Sequence, residues 1–188
     1  LMYYTEDTER ADAAWITNKL AANPDEQATT WSRYTLVGIP TEQHSATVQN
    51  NVVNNNGNVY TTQNGIGATW PGKAVNGEFL DLTITALWLE ARIQEDCAQI
   101  LLDASNNNEK IPYDDDGIGV FVNAIQRRLD QGIRVGHFID GTDVINAPKL
   151  SDIAGATRRA RELTITYSVE PAGSIEELTI TGTVSIPI

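Results

Sequence analysis

The stretch Asn76–Ala104, NGEFLDLTITALWLEARIQEDCAQILLDA, decides how the chain is read. Apolar residues recur at Leu82, Ala86, Leu89, Ile93, Cys97, Ile100 and Ala104, spacings of three and four. A second row, Leu80, Ile84, Leu87, Ala91, Ala98 and Leu101, lies beside the first. Two adjacent rows make an apolar face broad enough for a central core helix rather than a surface one. The polar row is Asp81, Thr85, Arg92, Glu95, Gln99 and Asp103, and Trp88 falls in it. An aromatic so placed has two readings. It packs under a loop of its own chain, or it meets another subunit, since Trp is enriched at interface cores.

Around that helix, 188 residues make one domain, or one domain with a small appendage. Such a length buries enough surface to fold without metal or disulfide. Thirteen Lys and Arg against 25 Asp and Glu give a net charge of −12. Phosphate binding needs clustered positive charge, so nucleic acid is excluded as a main partner, and an anionic membrane surface is disfavoured. No apolar run is long enough to span a bilayer, so no membrane insertion is expected. The single cysteine, Cys97, sits in the apolar stripe and reads as a buried structural thiol. The opening Leu1-Met2 leads straight toward a helix and reads as the interior of a longer polypeptide.

Upstream, residues 1–22 carry helical periodicity through Ala11, Ala14, Trp15, Ile16 and Leu20, with Asp7 or Thr8 as cap and Asn23-Pro24-Asp25 as stop. Thr30–Pro40 is β-rich and predicts a strand. Thr41–Val53 predicts a short helix capped by Thr41. Asn58–Thr62 and Ala68–Val75 predict strands about an Asn64-Gly65 hairpin, with Pro71 forcing an edge or bulge. Downstream, a second helix is predicted from about Gly117 to Gln131, with Gly132 at its C′ position. Two short strands about Asp140-Gly141 come next, then a basic segment, Ala154–Ala160. Alternation over Leu163–Val169 and Leu178–Ile186 predicts two final strands. The fold class is α+β: a mixed or antiparallel sheet packed against a long central helix and a second helix, with a C-terminal β-strand arm.

Sites for chemistry are few. Asp114, Asp115 and Asp116 precede a helix, and capping explains them better than a calcium loop, which needs a Glu at a spacing this chain lacks. A glycosidase-type carboxylate pair would need a substrate site that nothing positions. His44 and His137 have no Cys or His nearby, so no zinc site is expected. Gly65 and Gly67 are too few for a phosphate cradle. No cofactor, no metal and no catalytic residue is assigned. Arg158, Arg159 and Arg161 form a basic cluster, either solvated or ion-paired, or a complement to acidic patches on another copy. Thr179–Ile188 is β-prone throughout, and a strand of this kind pairs within its own sheet or joins a neighbour's.

The order of several pieces resembles a known family. Thr30-Trp31 to Gly38-Ile39, Asn58-Val59-Tyr60, Gly77–Asp81, Trp88–Gln94, Lys110–Tyr113 with Gly117-Ile118, Arg158–Arg161 and Ile180–Val184 resemble the C-terminal half of contractile bacteriophage (myovirus) tail sheath proteins. The resemblance runs from Trp31 onward. Asp114 departs from it, standing where relatives carry Thr, and a sheath N-terminal half has no counterpart here. The family implies a structural subunit and no enzyme. Copies stack in six-fold rings around a tail tube above a baseplate, and terminal arms add strands to neighbouring sheets. Contraction on host contact drives the tube through the envelope. It also implies residence in the virion tail after assembly in the bacterial host cytoplasm. On this reading residues 1–30 are a helical segment, 31–175 the sheath-like domain and 176–188 a strand arm. The subunit contacts fall at Trp88, Arg158, Arg159, Arg161, Val184 and Ile186, and this piece alone is monomeric or weakly associated. Two alternatives stand beside it: another tail, baseplate or tube component, and a carbohydrate-acting or metal-dependent enzyme using Asp114–Asp116.

Overall fold

The computed structural model describes residues 1–5, 9–176 and 178–179. The quoted stretch forms the longest helix among them, α3, Leu80–Asn106. The second helix, α4, spans Asp115–Val135. Asp114 caps it by accepting the Gly117 amide at 2.8 Å, and Asp115 and Asp116 lie in the first turn against the positive helix end. The two helices run antiparallel: Arg128 reaches Asp96 through Nε and Nη2 at 2.7 and 2.6 Å, and Gly132 lies beside Trp88. Trp88, Leu89 and Ile93 of α3 pack on Ile125 and Leu129 of α4 and on Phe138, forming one core.

A second core joins the N-terminal helix α1, Ala11–Leu20, to the residues around Trp31 and Leu36. Trp15 and Trp31 meet edge to face at 5.3 Å, and Trp15 Nε1 donates to the Trp31 carbonyl at 3.0 Å. Leu36 and Tyr60 complete this core. This core draws its residues from both sides of residue 30. Beside it lies a three-stranded sheet, β1 (Met2–Tyr3), β2 (Asn58–Gln63) and β3 (Ile66–Trp70), in that order. β1 is parallel to β2, and β2–β3 is the expected hairpin, with Asn64 and Gly65 at φ 49° and 82°. Pro71 ends β3 rather than bulging it. The fully buried Asn58 ties the sheet ends: its Oδ1 accepts from Gly72 and Lys73, and its Nδ2 donates to Leu1 and Lys73 carbonyls.

A second sheet has two antiparallel strands, β4 (Val144–Asn146) and β5 (Thr166–Ser168). The pairing continues irregularly through a Phe138–Pro171 bridge. β4 packs on α4, and Tyr167 and Val169 pack against the helical core. Between the strands lie a 3-10 turn at Leu150–Asp152 and the short α5, Gly155–Ala160.

Several expectations need correction. Thr30–Pro40 is not a strand. Arg33 takes φ 53°, which breaks any extended run, and the segment is an irregular strap along β3 through Arg33 N to Thr69 O and Thr69 N to Tyr34 O. The helix placed at Thr41–Val53 is α2, Ala46–Asn54, capped by Ser45. Residues 1–22 split into β1 and α1, and the caps proposed at Asp7 and Thr8 lie outside the described residues. Gly132 is inside α4. The helix stops four residues later at Gly136, at φ 91°, so 133–135 continue the helix instead of starting a strand. The final strand and the arm at 180–188 lie outside the described residues.

Candidate subunit interface

α3 is less enclosed than its two apolar rows imply. Its first row faces α4 and β5, with Leu89, Ile93 and Ala104 buried. The second row is open along most of its length: Leu87 is 60% exposed and Leu101 55%, and Ala91, Ala98 and Leu102 are exposed with them. Glu90 and Glu95 flank this lane.

β5 runs along the border of that lane. Leu163, Ile165, Tyr167 and Val169 alternate half-buried with exposed Thr164, Thr166 and Ser168, so one side of the strand faces the helices. Among the described residues β5 has β4 as its sole strand neighbour. Two apolar grooves flank it. One of about 600 Å³ lies between Ala86, Glu90 and Gln94 of α3 and Tyr167–Val169. The other, of about 810 Å³, is lined by Cys97, Leu101, Phe121, Ile165 and the Ile111–Tyr113 strap, with Lys110, Arg158 and Arg161 among its lining cations. Cys97 is half-buried there, and burial followed by the charge of Asp96 pushes its thiol upward, away from the reactive thiolate.

The residues singled out from sequence fall in different places. Trp88 is 6% exposed and enclosed by its own chain. Its Nε1 donates to Asp25 Oδ1 at 2.9 Å and its ring lies 4.8 Å from that of His137. The 23–28 loop and the His137 ring thus cover this side chain within its own chain. Arg158, Arg159 and Arg161 are exposed on α5 and its C-cap, and among the described residues none forms an ion pair. Val184 and Ile186 lie outside the described residues. The Asp114–Asp116 run caps a helix, and Asp115 also accepts the Leu150 amide at 2.7 Å. Among the described residues no three His, Cys, Asp or Glu gather as a metal set. His137 is saturated, with Nε2 2.8 Å from the Pro24 carbonyl and Nδ1 3.0 Å from Thr85 Oγ1. Because a carbonyl only accepts, Nε2 carries a proton. His44 pairs with Glu42 at 2.8 Å.

Sequence reasoning missed Asp25 altogether, having read it as a helix stop. Its carboxylate accepts from Trp88, from Arg92 Nε at 3.0 Å and from Arg92 Nη2 at 2.8 Å, while its carbonyl takes Gln131 Nε2. Burial pushes the Asp25 carboxyl upward. The bonds from Trp88 and Arg92 and the charges of Arg92 and Arg128 outweigh it and hold the carboxyl below its ordinary value. The loop is thereby pinned to both long helices.

Residues 80–152 match the family model described as E217 tail sheath protein gp31-like, C-terminal domain. No curated protein sequence matches the chain. Among solved structures the chain is similar to one from the cryo-EM structure of the anti-feeding prophage baseplate, with six-fold symmetry. The TM-score is 0.67 at 11% identity over 84% of this chain and 45% of the other. It is also similar to a chain of an extracellular contractile injection system, the PVC sheath complex in its contracted state: TM-score 0.63, 12% identity, 82% of this chain and 45% of the other. At such identities the likeness speaks for the fold, and this chain spans 45% of each of those chains. The matched stretch, residues 80–152, is the α3–α4 unit with its following loops, and there the chain is similar to the gp31-like tail sheath C-terminal domain.

Proposed function

We propose that the protein is a structural, non-enzymatic subunit of a contractile phage tail sheath, polymerising by strand exchange in stacked rings around the tail tube. The single observation that carries this reading is the edge of β5 that has no strand neighbour among the described residues, beside the solvent-exposed apolar lane of α3. An unpaired strand edge satisfies its backbone by pairing with another chain, and a strand laid there would cover Leu87 and Leu101 with its inward side chains. The alternating Ile180, Val184, Ile186 and Ile188 have the pattern such a strand needs. The donor arm and the acceptor edge are different surfaces of one chain, so the contact is head-to-tail and generates an open helical array. Arg158, Arg159 and Arg161 then complement acidic faces of other copies, which a chain of net charge −12 supplies in abundance. Main-chain pairing holds copies together while their bodies rotate in contraction. Tail tube and baseplate are the further partners, the virion tail is its location, and the bacterial cytoplasm is where it assembles.

The test is the complete sheath polypeptide carrying Val184→Asp and Ile186→Asp. It should fold with an unchanged melting temperature and fail to form tubes in electron micrographs. Normal tubes from this variant would overturn strand exchange through these residues. The alternative role as a baseplate component has the likeness to the baseplate chain in its favour, and it requires single closed rings in place of tubes.

A further inference from the structure

The segment after β5 returns across the molecule to the strap that precedes the hairpin. There it meets a set of donors with one acceptor. Ser32 is 3% exposed, and its hydroxyl donates to the Glu176 carboxylate. Thr30 Oγ1 lies 3.3 Å from the other carboxylate oxygen and also accepts the Ser32 amide at 3.2 Å. Arg33 Nη2 donates to the Glu176 carbonyl. The Arg33 guanidinium is held in place, 4.9 Å over the Trp70 ring and 3.2 Å from Gln63 Oε1. Arg33 has φ 53°, and its amide is bonded to Thr69 at 2.7 Å, so its backbone is fixed as well. Two hydroxyls aimed at the Glu176 carboxylate and a guanidinium aimed at its carbonyl make a receptor for this one residue.

Beyond the Ala172 amide, which donates to the His137 carbonyl at 2.8 Å, the segment has little else to hold it among the described residues. Ile175 is 86% exposed and Leu178 78%, so no apolar burial contributes at either side of Glu176. Ser174 Oγ adds one bond to Asp81 at 3.0 Å. A buried serine hydroxyl that loses its acceptor incurs the full desolvation penalty, which ties the socket to its plug.

We propose that Thr30 and Ser32, which hold the Glu176 carboxylate, and Arg33, which holds its carbonyl, form a socket for Glu176, and that this socket is the pivot from which the C-terminal segment leaves the body toward a second copy of the chain. The socket stands on its own contacts; the destination rests on the strand-exchange reading above. Residues up to Glu176 stay with their own body, and the arm beyond it is positioned from a fixed root beside β3 instead of from the end of β5. The pivot shortens the free tether, which raises the effective concentration of the arm at its neighbour.

Hydrogen exchange on dilute, unassembled protein tests the socket. Glu177 could substitute for its neighbour by a one-residue slip, so the variant is E176A/E177A. Its amides at 172–179 should exchange at least about ten-fold faster than wild type, while α3 and α4 peptides are unchanged. S32A, which removes only the buried donor, should accelerate the same amides by a smaller factor. It keeps the test decisive if the double variant does not fold. Unchanged exchange at 172–179 in the folded variants would overturn the socket. Normal tubes from the Val184→Asp, Ile186→Asp variant would overturn the arm's destination and leave the socket standing.

Discussion

Gly117 and Gly119 stand two positions apart on α4 and carry opposite costs. A Cβ on Gly117 would lie 1.9 Å from the Pro112 carbonyl oxygen, a backbone atom of the strap that crosses the helix start. A Cβ on Gly119 meets nothing within 4 Å. Gly117→Ala should therefore destabilise the protein by about 3 kcal/mol. Gly119→Ala should stabilise it by up to about 1 kcal/mol through helix propensity. Chemical denaturation of the two variants checks both signs. Asp25 gives the pH counterpart. Its folded carboxyl lies below its unfolded value, so its contribution is fully present above about pH 4 and is lost as pH falls through the folded value. The stability gap between wild type and Asp25→Asn should narrow as acid is added below about pH 4. A gap that stays constant down to about pH 2 would show that the Trp88–Arg92–Asp25 cluster is not held by charge. Sequence marked Trp88 as out of place in its row, and that signal was sound. Its partner could not be read, because Asp25 lies 63 positions away and looked complete as a helix stop.

Among the elements, periodicity found every long one. α3, α4 and the β2–β3 hairpin each carry their own signal: a helical apolar period, an aspartate cap, an Asn-Gly turn. Boundaries failed where a residue could serve two roles. Gly132 looked like a C′ glycine, yet it is the contact point where a Cβ would meet the Phe138 ring at 2.4 Å. Thr30–Pro40 has strand composition, but its β propensity is overridden by burial of Trp31 and Leu36 beneath α1 and by the left-handed turn at Arg33. The second apolar row of α3 was read as core because periodicity reports which residues share a face, not what covers it. Leu87→Glu with Leu101→Glu should shift stability by no more than about 0.5 kcal/mol, as both side chains are solvent-exposed. The same pair should abolish tube formation by the complete polypeptide. A loss of several kcal/mol in the unassembled protein would return this face to the core.

At the scale of the molecule, two cores share one body. α1, the strap and the β1–β3 sheet surround Trp15 and Tyr60, while α3, α4 and the β4–β5 pair surround Ile93 and Leu129. The 23–28 loop joins them: Pro24 to His137, Asp25 to Trp88, Arg92 and Gln131, and the Ala28 amide to Val135 at 3.2 Å. A body braced this way can move as a unit, which the proposed strand exchange at its margin requires. The likeness to tail sheath C-terminal domains was legible because Trp88–Gln94, Lys110–Tyr113 and Gly117-Ile118 lie in the matched stretch 80–152. The proposed interface was not, since the free edge of β5 and the exposed face of α3 among the described residues are properties of tertiary placement. A cryo-EM map of the polymerised protein tests the central claim most directly. The account predicts a strand from a neighbouring copy paired along β5, over Leu87 and Leu101 of α3. A tube in which that edge and that face stay bare, with copies joined elsewhere, would contradict it.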